Sequence, residues 1–312
     1  MLIAHPEGPI EAAFWLDLVD PTPAEIAAVE AATGFTLPTK AALSEIETSS
    51  RLRSDGQTLY LSTPALARGD TPEADLTPLG FVLSGQALVT VRFAALRSFD
   101  AAAEAMGKAA SPSSVAAFTA VVEAMVDRAA DLLEAAGAEL DTVSRQIFRN
   151  ASLGDRQIAR TNARLRLTLA QVGLLGDRLG KTRGALLGIG RIVPFVGEVA
   201  RDRLPPELQT RLAAVRADVL SLTDYETHLE GKTQFLLDAV LGFISTEQNE
   251  LFKVLTIVSV VGVPPTLIAS IYGMNFAIMP ELHWRFGYPY ALAMIVVSTL
   301  VPVLWFKWKG WW

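Results

Sequence analysis

Small polar side chains recur at steps of three or four residues through an uncharged apolar stretch, residues 254–271, near the end of the chain. At about 100° per residue in a helix, this spacing places them on one face. This face, which we call the polar stripe, consists of Asn249, Phe252, Thr256, Ser259, Val263, Thr266 and Ser270, of which Phe252 and Val263 are apolar. Two interpretations are open. Hydroxyl side chains can join membrane helices, or the stripe can line a polar conduit, which requires several copies of the chain around an axis.

Asp238 and Asn275 lie beyond the two ends of that stretch and could contact a cation. Asp238 precedes Asn249 by 11 residues, which places the two within roughly 20° on a helical wheel. Around an axis, Asp238 would form a ring of carboxylates at the inner mouth of a conduit. Otherwise it is one solvated charge. Asn275 would form a ring of amide oxygens at the outer mouth, which suits Mg²⁺ because this ion keeps its water. Gly273 would allow a backbone conformation with positive φ where the helix ends.

Two stretches, 254–271 and 288–306, are long and apolar enough to cross a bilayer, which takes roughly 17–25 residues. A short loop joins them, so an antiparallel helical hairpin is expected. The Pro264–Pro265 pair lies in the middle of the first stretch. It predicts either a packing kink or a flexible point in a pore-lining helix.

Basic residues flank the two stretches. Lys253 precedes the first stretch, and Lys307 and Lys309 follow the second. The loop between the two stretches carries one basic residue, Arg285, and one acidic residue, Glu281. The positive-inside rule therefore predicts cytosolic N- and C-termini. The first residues have no signal-peptide pattern, so the large N-terminal part is expected to stay in the cytosol. The expected location of the chain is a bacterial-type inner (plasma) membrane, as a multi-pass protein.

The composition excludes several classes of protein. The 312 residues include no cysteine, which rules out a disulfide framework and a thiolate metal site. A net charge of −6 argues against a nucleic-acid partner. We find no phosphate loop and no Ser-His-Asp arrangement, so neither an enzyme nor a covalently bound cofactor is expected.

The soluble part is predicted to be a small mixed sheet followed by helices. Strands are expected at 14–19, 58–65, 80–83 and 87–93, and shorter helices at 23–33, 39–47 and 99–109. Longer helices are expected at 115–150 and 155–187, with their charges on solvated faces, and an irregular connection at 188–204. A final helix from Pro206 to residue 271 would be about 100 Å long.

These patterns divide the chain into seven consecutive segments. They are a cytosolic mixed α/β domain (1–110), cytosolic antiparallel helices (111–204), a cytosolic stalk (205–253), a pore-lining transmembrane helix (254–272), an external loop (273–287), a second transmembrane helix (288–306) and a cytosolic basic-aromatic tail (307–312).

The sequences YGMNF (272–276), MPEL (279–282) and GYP (287–289), with the tail after them, resemble the CorA family of divalent-cation channels in the CorA/ZntB superfamily. WLDL-x-x-PT at 15–22 extends the resemblance thinly toward the N-terminus. It implies an α+β cytosolic domain leading into a very long stalk and pore helix, plus a second transmembrane helix that faces lipid. Five copies would form a homopentameric, funnel-shaped helical membrane channel in the lipid bilayer.

The same resemblance implies roles for individual residues. Gly273, Met274 and Asn275 match the selectivity motif for hydrated Mg²⁺, with Co²⁺ and Ni²⁺ as further ions. Glu281 belongs to the external loop. The positions that match the pore lining are Asp238, Asn249, Phe252, Leu255, Ser259, Val263 and Thr266.

Other features of the family are less complete here. Family members gated by cytosolic Mg²⁺ carry bridging acids on the stalk, where an ungapped alignment places Ala214; Asp218 and Asp224 are the nearest acids for a regulatory Mg²⁺. Two alternatives stay open. One is a Zn²⁺ transporter of the same superfamily, with proton coupling as a variant, for which His283 in the loop could favour the softer ion. The other is a membrane-anchored scaffold that transports nothing.

Overall fold

The computed structural model describes residues 1–45, 51–67, 75–151, 158–275 and 279–311. The chain divides into two compact units. The first consists of residues 1–154 and 166–237, and the second of residues 155–165 and 238–312.

A six-stranded sheet forms the base of the first unit. Its strands are β1 (Leu2–His5), β2 (Trp15–Val19), β3 (Leu52–Asp55), β4 (Thr58–Ala67), β5 (Asp75–Leu83) and β6 (Leu88–Arg92). They are ordered β1-β2-β6-β5-β4-β3, and only the β2–β6 pair is parallel. The four predicted strands are confirmed. β1 and β3 were missed, and β5 begins earlier than the predicted 80–83.

The two faces of the sheet bury different residues, as the two-residue period of a strand requires. Leu16 and Leu18 of β2 join Val89 and Val91 of β6 in a core beneath two short helices, α1 (Pro23–Thr33) and α2 (Lys40–Leu43). On the opposite face, Trp15 contacts Phe99 of α3 (Arg97–Gly107), and Phe81 contacts Phe118 of α4 (Ser114–Ala151).

Helix α1 has the boundaries that its sequence predicts. Thr22 accepts a hydrogen bond from the Glu25 amide, and the Glu25 carboxylate accepts one from the Thr22 amide. This reciprocal capping box satisfies two amides of the first turn. Gly34 ends the helix in the left-handed conformation, at φ 72°.

Helix α5 (Ile158–Val199) overturns the prediction of an irregular connection at 188–204 for residues 188–199, while a 3₁₀ turn follows at Arg201–Arg203. At Gly188 the missing side chain is what lets this helix lie against β4. A Cβ atom there would be 2.0 Å from Thr63 Oγ1 and 2.9 Å from Pro64 Cδ. The buried residues Ile189, Ile192, Val193 and Val196 continue the helical spacing. The expected break at 150–154 lies largely outside the described residues.

Helix α6 (Pro206–Tyr272) is one continuous element of 67 residues that runs through both units. It confirms the predicted long helix to within one residue, and Pro264 and Pro265 lie inside it. A second apolar helix, α7 (Gly287–Trp308), follows a short 3₁₀ turn at Pro280–His283. By length and composition, α6 and α7 are both able to cross a membrane.

Candidate functional site

The polar stripe lies on the open side of α6. All seven of its residues are exposed, including Phe252, whose exposed fraction is 65%. The half-covered positions of the same stretch are Lys253, Ile257, Val261, Pro264, Pro265, Ile268 and Tyr272. At 100° per residue, the two sets are centred roughly 150° apart. One side of α6 is thus covered by its own chain, and the stripe faces the other way.

Two hydroxyl groups on the stripe are satisfied within the helix. Thr256 Oγ donates to the Phe252 carbonyl at 2.7 Å, and Thr266 Oγ donates to the Gly262 carbonyl at 2.8 Å. Each hydroxyl oxygen keeps lone pairs that can accept a hydrogen bond from water. The two hydroxyls can therefore present acceptors without leaving a donor unpaired in an apolar stretch.

Every residue predicted to line a pore is exposed in the single chain. Asp238 and Asn249 are exposed, and so are the apolar residues Leu255 and Val263. Exposed apolar patches of this kind mark surfaces that contact protein or lipid.

The Gly-Met-Asn segment directly follows the last turn of α6. The Gly273 amide donates to the Ala269 carbonyl at 3.0 Å, and the Met274 amide donates to the Ile271 carbonyl at 3.2 Å. Met274 and Asn275 are exposed beyond this point. The helix therefore presents Asn275 at its C-terminal end.

The positive φ that glycine would allow at position 273 is not used, since Gly273 is not among the residues with positive φ. A different constraint favours glycine there. A Cβ atom would lie 3.2 Å from the Ala269 carbonyl oxygen. The residues 276–278 and the side chain of Glu281 lie outside the described part of the structure, so the role expected for Glu281 stays a prediction.

The N-terminal end of the apolar stretch 254–271 borders an open groove of about 440 Å³. Trp311, from the tail after α7, lines this groove together with residues of α6. These are Thr246, Asn249, Glu250, Phe252, Lys253 and Thr256. The C-terminal tail thus lies beside the N-terminal end of the polar stripe. The sequence analysis did not predict this contact.

Ion pairs join the part of α6 within the first unit to α4 and α5. Arg211 of α6 pairs with Glu123 at 2.5 Å, and Lys232 of α6 pairs with Asp141. Arg183 of α5 lies 2.6 Å from Glu230 of α6. The prediction that charges along 115–187 lie on solvated faces holds for Asp141, which is 60% exposed. It fails for Glu123 and Arg183, which are partly buried, because helix periodicity cannot show which surface another helix covers.

Asp218 and Asp224, the candidate acids for a regulatory ion, are both exposed on α6. Asp218 lies near an acidic region of α4. There, burial and the charges of Glu123, Asp131 and Asp218 together raise the pKa of Asp127. Within the described residues of one chain, no group of three or more His, Cys, Asp or Glu side chains could hold a metal ion. A regulatory site shared between subunits stays a prediction.

The comparisons with known proteins decide the family. The family model described as "CorA-like Mg2+ transporter protein" matches residues 11–308. The chain belongs to this CorA-like family. Magnesium transport protein CorA of Pasteurella multocida is 32% identical over 304 residues, covering 97% of this chain and 93% of the relative. The Escherichia coli K12 protein of the same name is 32% identical over 308 residues, with the same coverages.

A solved CorA structure supports the fold independently. The CorA magnesium transporter of Methanocaldococcus jannaschii has a TM-score of 0.72 and 17% identity, covering 98% of this chain and 94% of that one. The expected CorA-type fold is therefore confirmed: an α+β soluble part, a long helix and a second apolar helix near the C-terminus. In a family of membrane transporters, α6 and α7 are the membrane-spanning helices.

Proposed function

We propose that this CorA-type chain assembles as a homopentamer that conducts Mg²⁺ across a bacterial-type inner membrane, with both termini in the cytosol. The position of the polar stripe carries the proposal. A membrane-spanning helix that aligns hydroxyl groups on an open face favours another helix or water, rather than lipid, beside that face. Copies of the chain around an axis would enclose that face, and membership in a Mg²⁺ transporter family supplies the ion.

Asn275 is the proposed first contact of the ion. Five amide side chains at the outer ends of the α6 helices would accept hydrogen bonds from the water bound to Mg²⁺. This suits an ion that loses its water reluctantly. Gly273 and Met274 place the asparagine at the helix end, where α6 itself fixes its distance from the axis. Co²⁺ and Ni²⁺, which are similar divalent ions, are further candidates.

The exposed apolar side chains of Phe252, Leu255 and Val263 are the proposed gate. A ring of such side chains can stop ions by excluding water, and it conducts when the helices separate enough to wet it. The ion pairs Arg211–Glu123 and Lys232–Asp141 hold the cytosolic part of α6 to α4. Movement of that soluble part would therefore be transmitted to the same helix that carries the gate. Asp238 would attract cations at the inner mouth.

Flux through reconstituted protein tests the proposal. Liposomes containing the full chain and an enclosed Mg²⁺ dye should take up Mg²⁺. Asn275→Ala should slow uptake by roughly tenfold or more, because each subunit loses a hydrogen bond worth about 1 kcal/mol. Thr299→Ala on α7 is the matched control and should conduct normally. Native mass spectrometry of both variants should give five subunits.

Three results would contradict the proposal. Uptake of Zn²⁺ that needs a pH gradient, without Mg²⁺ uptake, would identify the alternative Zn²⁺ transporter. Tight vesicles that admit no divalent ion would favour a scaffold. A monomer or dimer in lipid would remove the axis on which the conduit depends.

A further inference from the structure

The C-terminal tail is held in a defined turn. Gly310 has φ 72°, its amide donates to the Lys307 carbonyl at 3.2 Å, and the Trp311 amide donates to the Phe306 carbonyl at 3.0 Å. These two bonds form a Schellman motif, which ends a helix through a residue in the left-handed conformation. The rings of Phe306 and Trp311 stack with their centroids 5.3 Å apart. This is the hydrophobic contact that accompanies the motif.

The turn produces a surface that is both cationic and aromatic, which we call the tail surface (residues 305–311). Lys309 Nζ lies 6.0 Å from the ring centroids of both Trp305 and Trp308. Trp308 itself is 81% exposed. Within the described part of the chain, neither Lys307 nor Lys309 forms an ion pair, whereas nearby Lys253 is paired with Glu250 at 2.5 Å. Among the described residues, the tail surface therefore carries two charges without an ion-pair partner.

We propose that the tail surface binds the headgroup phosphate of an anionic phospholipid. Trp305 and Trp308 lie at the end of a membrane-spanning helix, where tryptophan anchors at the headgroup level. Lysines at this depth are attracted to anionic lipid, by roughly a factor of five for each lysine. A soluble phosphate would neutralise the same lysines but would leave the exposed Trp308 ring in water, so a lipid fits better. The inference rests on the proposed orientation, since anionic lipid is concentrated in the cytoplasmic leaflet.

Lipid retention by the full chain in detergent tests this inference. Protein titrated with phosphatidylglycerol or phosphatidylcholine is examined by native mass spectrometry for bound lipid. The wild-type chain should retain phosphatidylglycerol in preference to phosphatidylcholine. In the double variant Lys307→Gln/Lys309→Gln, that preference should fall by roughly 25-fold. A double variant with Lys40→Gln and Lys108→Gln removes the same charge from the first unit and should bind as the wild type does.

A second variant separates the turn from the charge. Gly310→Ala keeps both lysines but places a Cβ atom on a residue at φ 72°, which is strained, so the preference should weaken. An unchanged preference in either this variant or the double lysine variant would overturn the proposal. So would displacement of the lipid by millimolar inorganic phosphate, which would indicate a site for free anions.

The outcome is independent of the proposed channel. A chain that retains anionic lipid but passes no Mg²⁺ would refute the channel alone. A chain that conducts Mg²⁺ and binds both lipids equally would refute the lipid site alone.

Discussion

Arg92 and Asp17 form a bidentate ion pair in the interior of the first unit. Arg92 Nη2 lies 2.8 Å from Asp17 Oδ2, Arg92 Nε lies 3.2 Å from Oδ1, and the side chains are only 6% and 3% exposed. Thr90 donates to the same carboxylate at 2.7 Å, and Trp15 Nε1 donates to Thr90 at 3.0 Å. The aspartate of the WLDL motif therefore fastens β2 to β6, the one parallel pair of the sheet.

Asp17→Ala should strongly destabilise the soluble part. The change leaves the Arg92 charge buried without a partner, which typically costs about 3–5 kcal/mol. The urea midpoint of the full chain in detergent should fall accordingly. Glu104→Gln, which breaks an exposed pair with Lys108, should leave the midpoint nearly unchanged. A similar small effect of both variants would show that the buried pair is not what holds the strands.

Gly188→Ala should destabilise the contact between α5 and β4. The added Cβ atom would meet Thr63 Oγ1 at 2.0 Å, and overpacking of this kind costs about 1–3 kcal/mol. Gly180→Ala in the same helix meets nothing within 4 Å and should stabilise the chain by about 0.5–1 kcal/mol. The two melting temperatures should thus move in opposite directions. If Gly188→Ala melts as high as Gly180→Ala, the close approach is not rigid.

Glu226 should make stability depend on pH. The residue is 1% exposed, and Arg183 Nη1 lies 3.2 Å from its Oε2 atom, which has no hydrogen-bond partner among the described residues. Burial raises the pKa of Glu226, and the charge of Glu230 raises it further, although Arg183 opposes both. The folded state then binds this proton more tightly than the unfolded state. Its contribution to stability is present below the ordinary carboxylate pKa and is lost as pH rises through the raised value.

Glu226→Gln should therefore melt at a higher temperature than the wild type at neutral pH and at a similar temperature in acid. Melting curves collected from acid to neutral pH test this. Glu230→Gln removes the weaker of the two causes that raise this pKa, at a carboxylate that is 63% exposed, and should therefore reduce the pH slope only in part. If Glu226→Gln keeps the wild-type dependence of melting temperature on pH, the Glu226 carboxylate is not the cause of that dependence.

The sequence was informative wherever local chemistry decides the structure. The capping box at Thr22 and the uninterrupted pattern after Pro206 predicted their helices almost to the residue. The sequence failed to predict the structure where a residue distant along the chain decides it. β1 is a short edge strand that depends on pairing with β2. In α5, the absence of a side chain at Gly188 and Gly190 leaves room for Thr63 and Val219, which are distant in the sequence.

For the candidate site too, the sequence predicted what local spacing decides and missed what depends on distant contacts. Helical spacing was enough to place the polar stripe on one face. It could not show that this face is the open one, because that depends on what covers the opposite side. The return of Trp311 toward α6 was also missed, although Gly310, just after a helix ending in Trp308, was a usable signal for a Schellman turn.

Val263→Ser should increase Mg²⁺ flux if the apolar residues of α6 form the gate. A hydroxyl in the constriction lowers the cost of wetting it, so vesicles should fill several-fold faster, with the largest change when the wild-type channel is closed. Val297→Ser makes the same replacement at an exposed position of α7 and should leave flux unchanged. Equal effects of the two variants would argue against a gate at Val263.

The absence of cysteine allows the central claim, a water-filled passage lined by the polar stripe, to be tested at a single introduced thiol. Thr266→Cys lies on the stripe, and Thr299→Cys on α7 is the matched position in the other membrane helix. The measurement is Mg²⁺ flux through liposomes before and after a charged, membrane-impermeant thiol reagent. We expect the reagent to block flux through Thr266→Cys and to leave Thr299→Cys conducting. Flux through Thr266→Cys that persists after the reagent would contradict the claim.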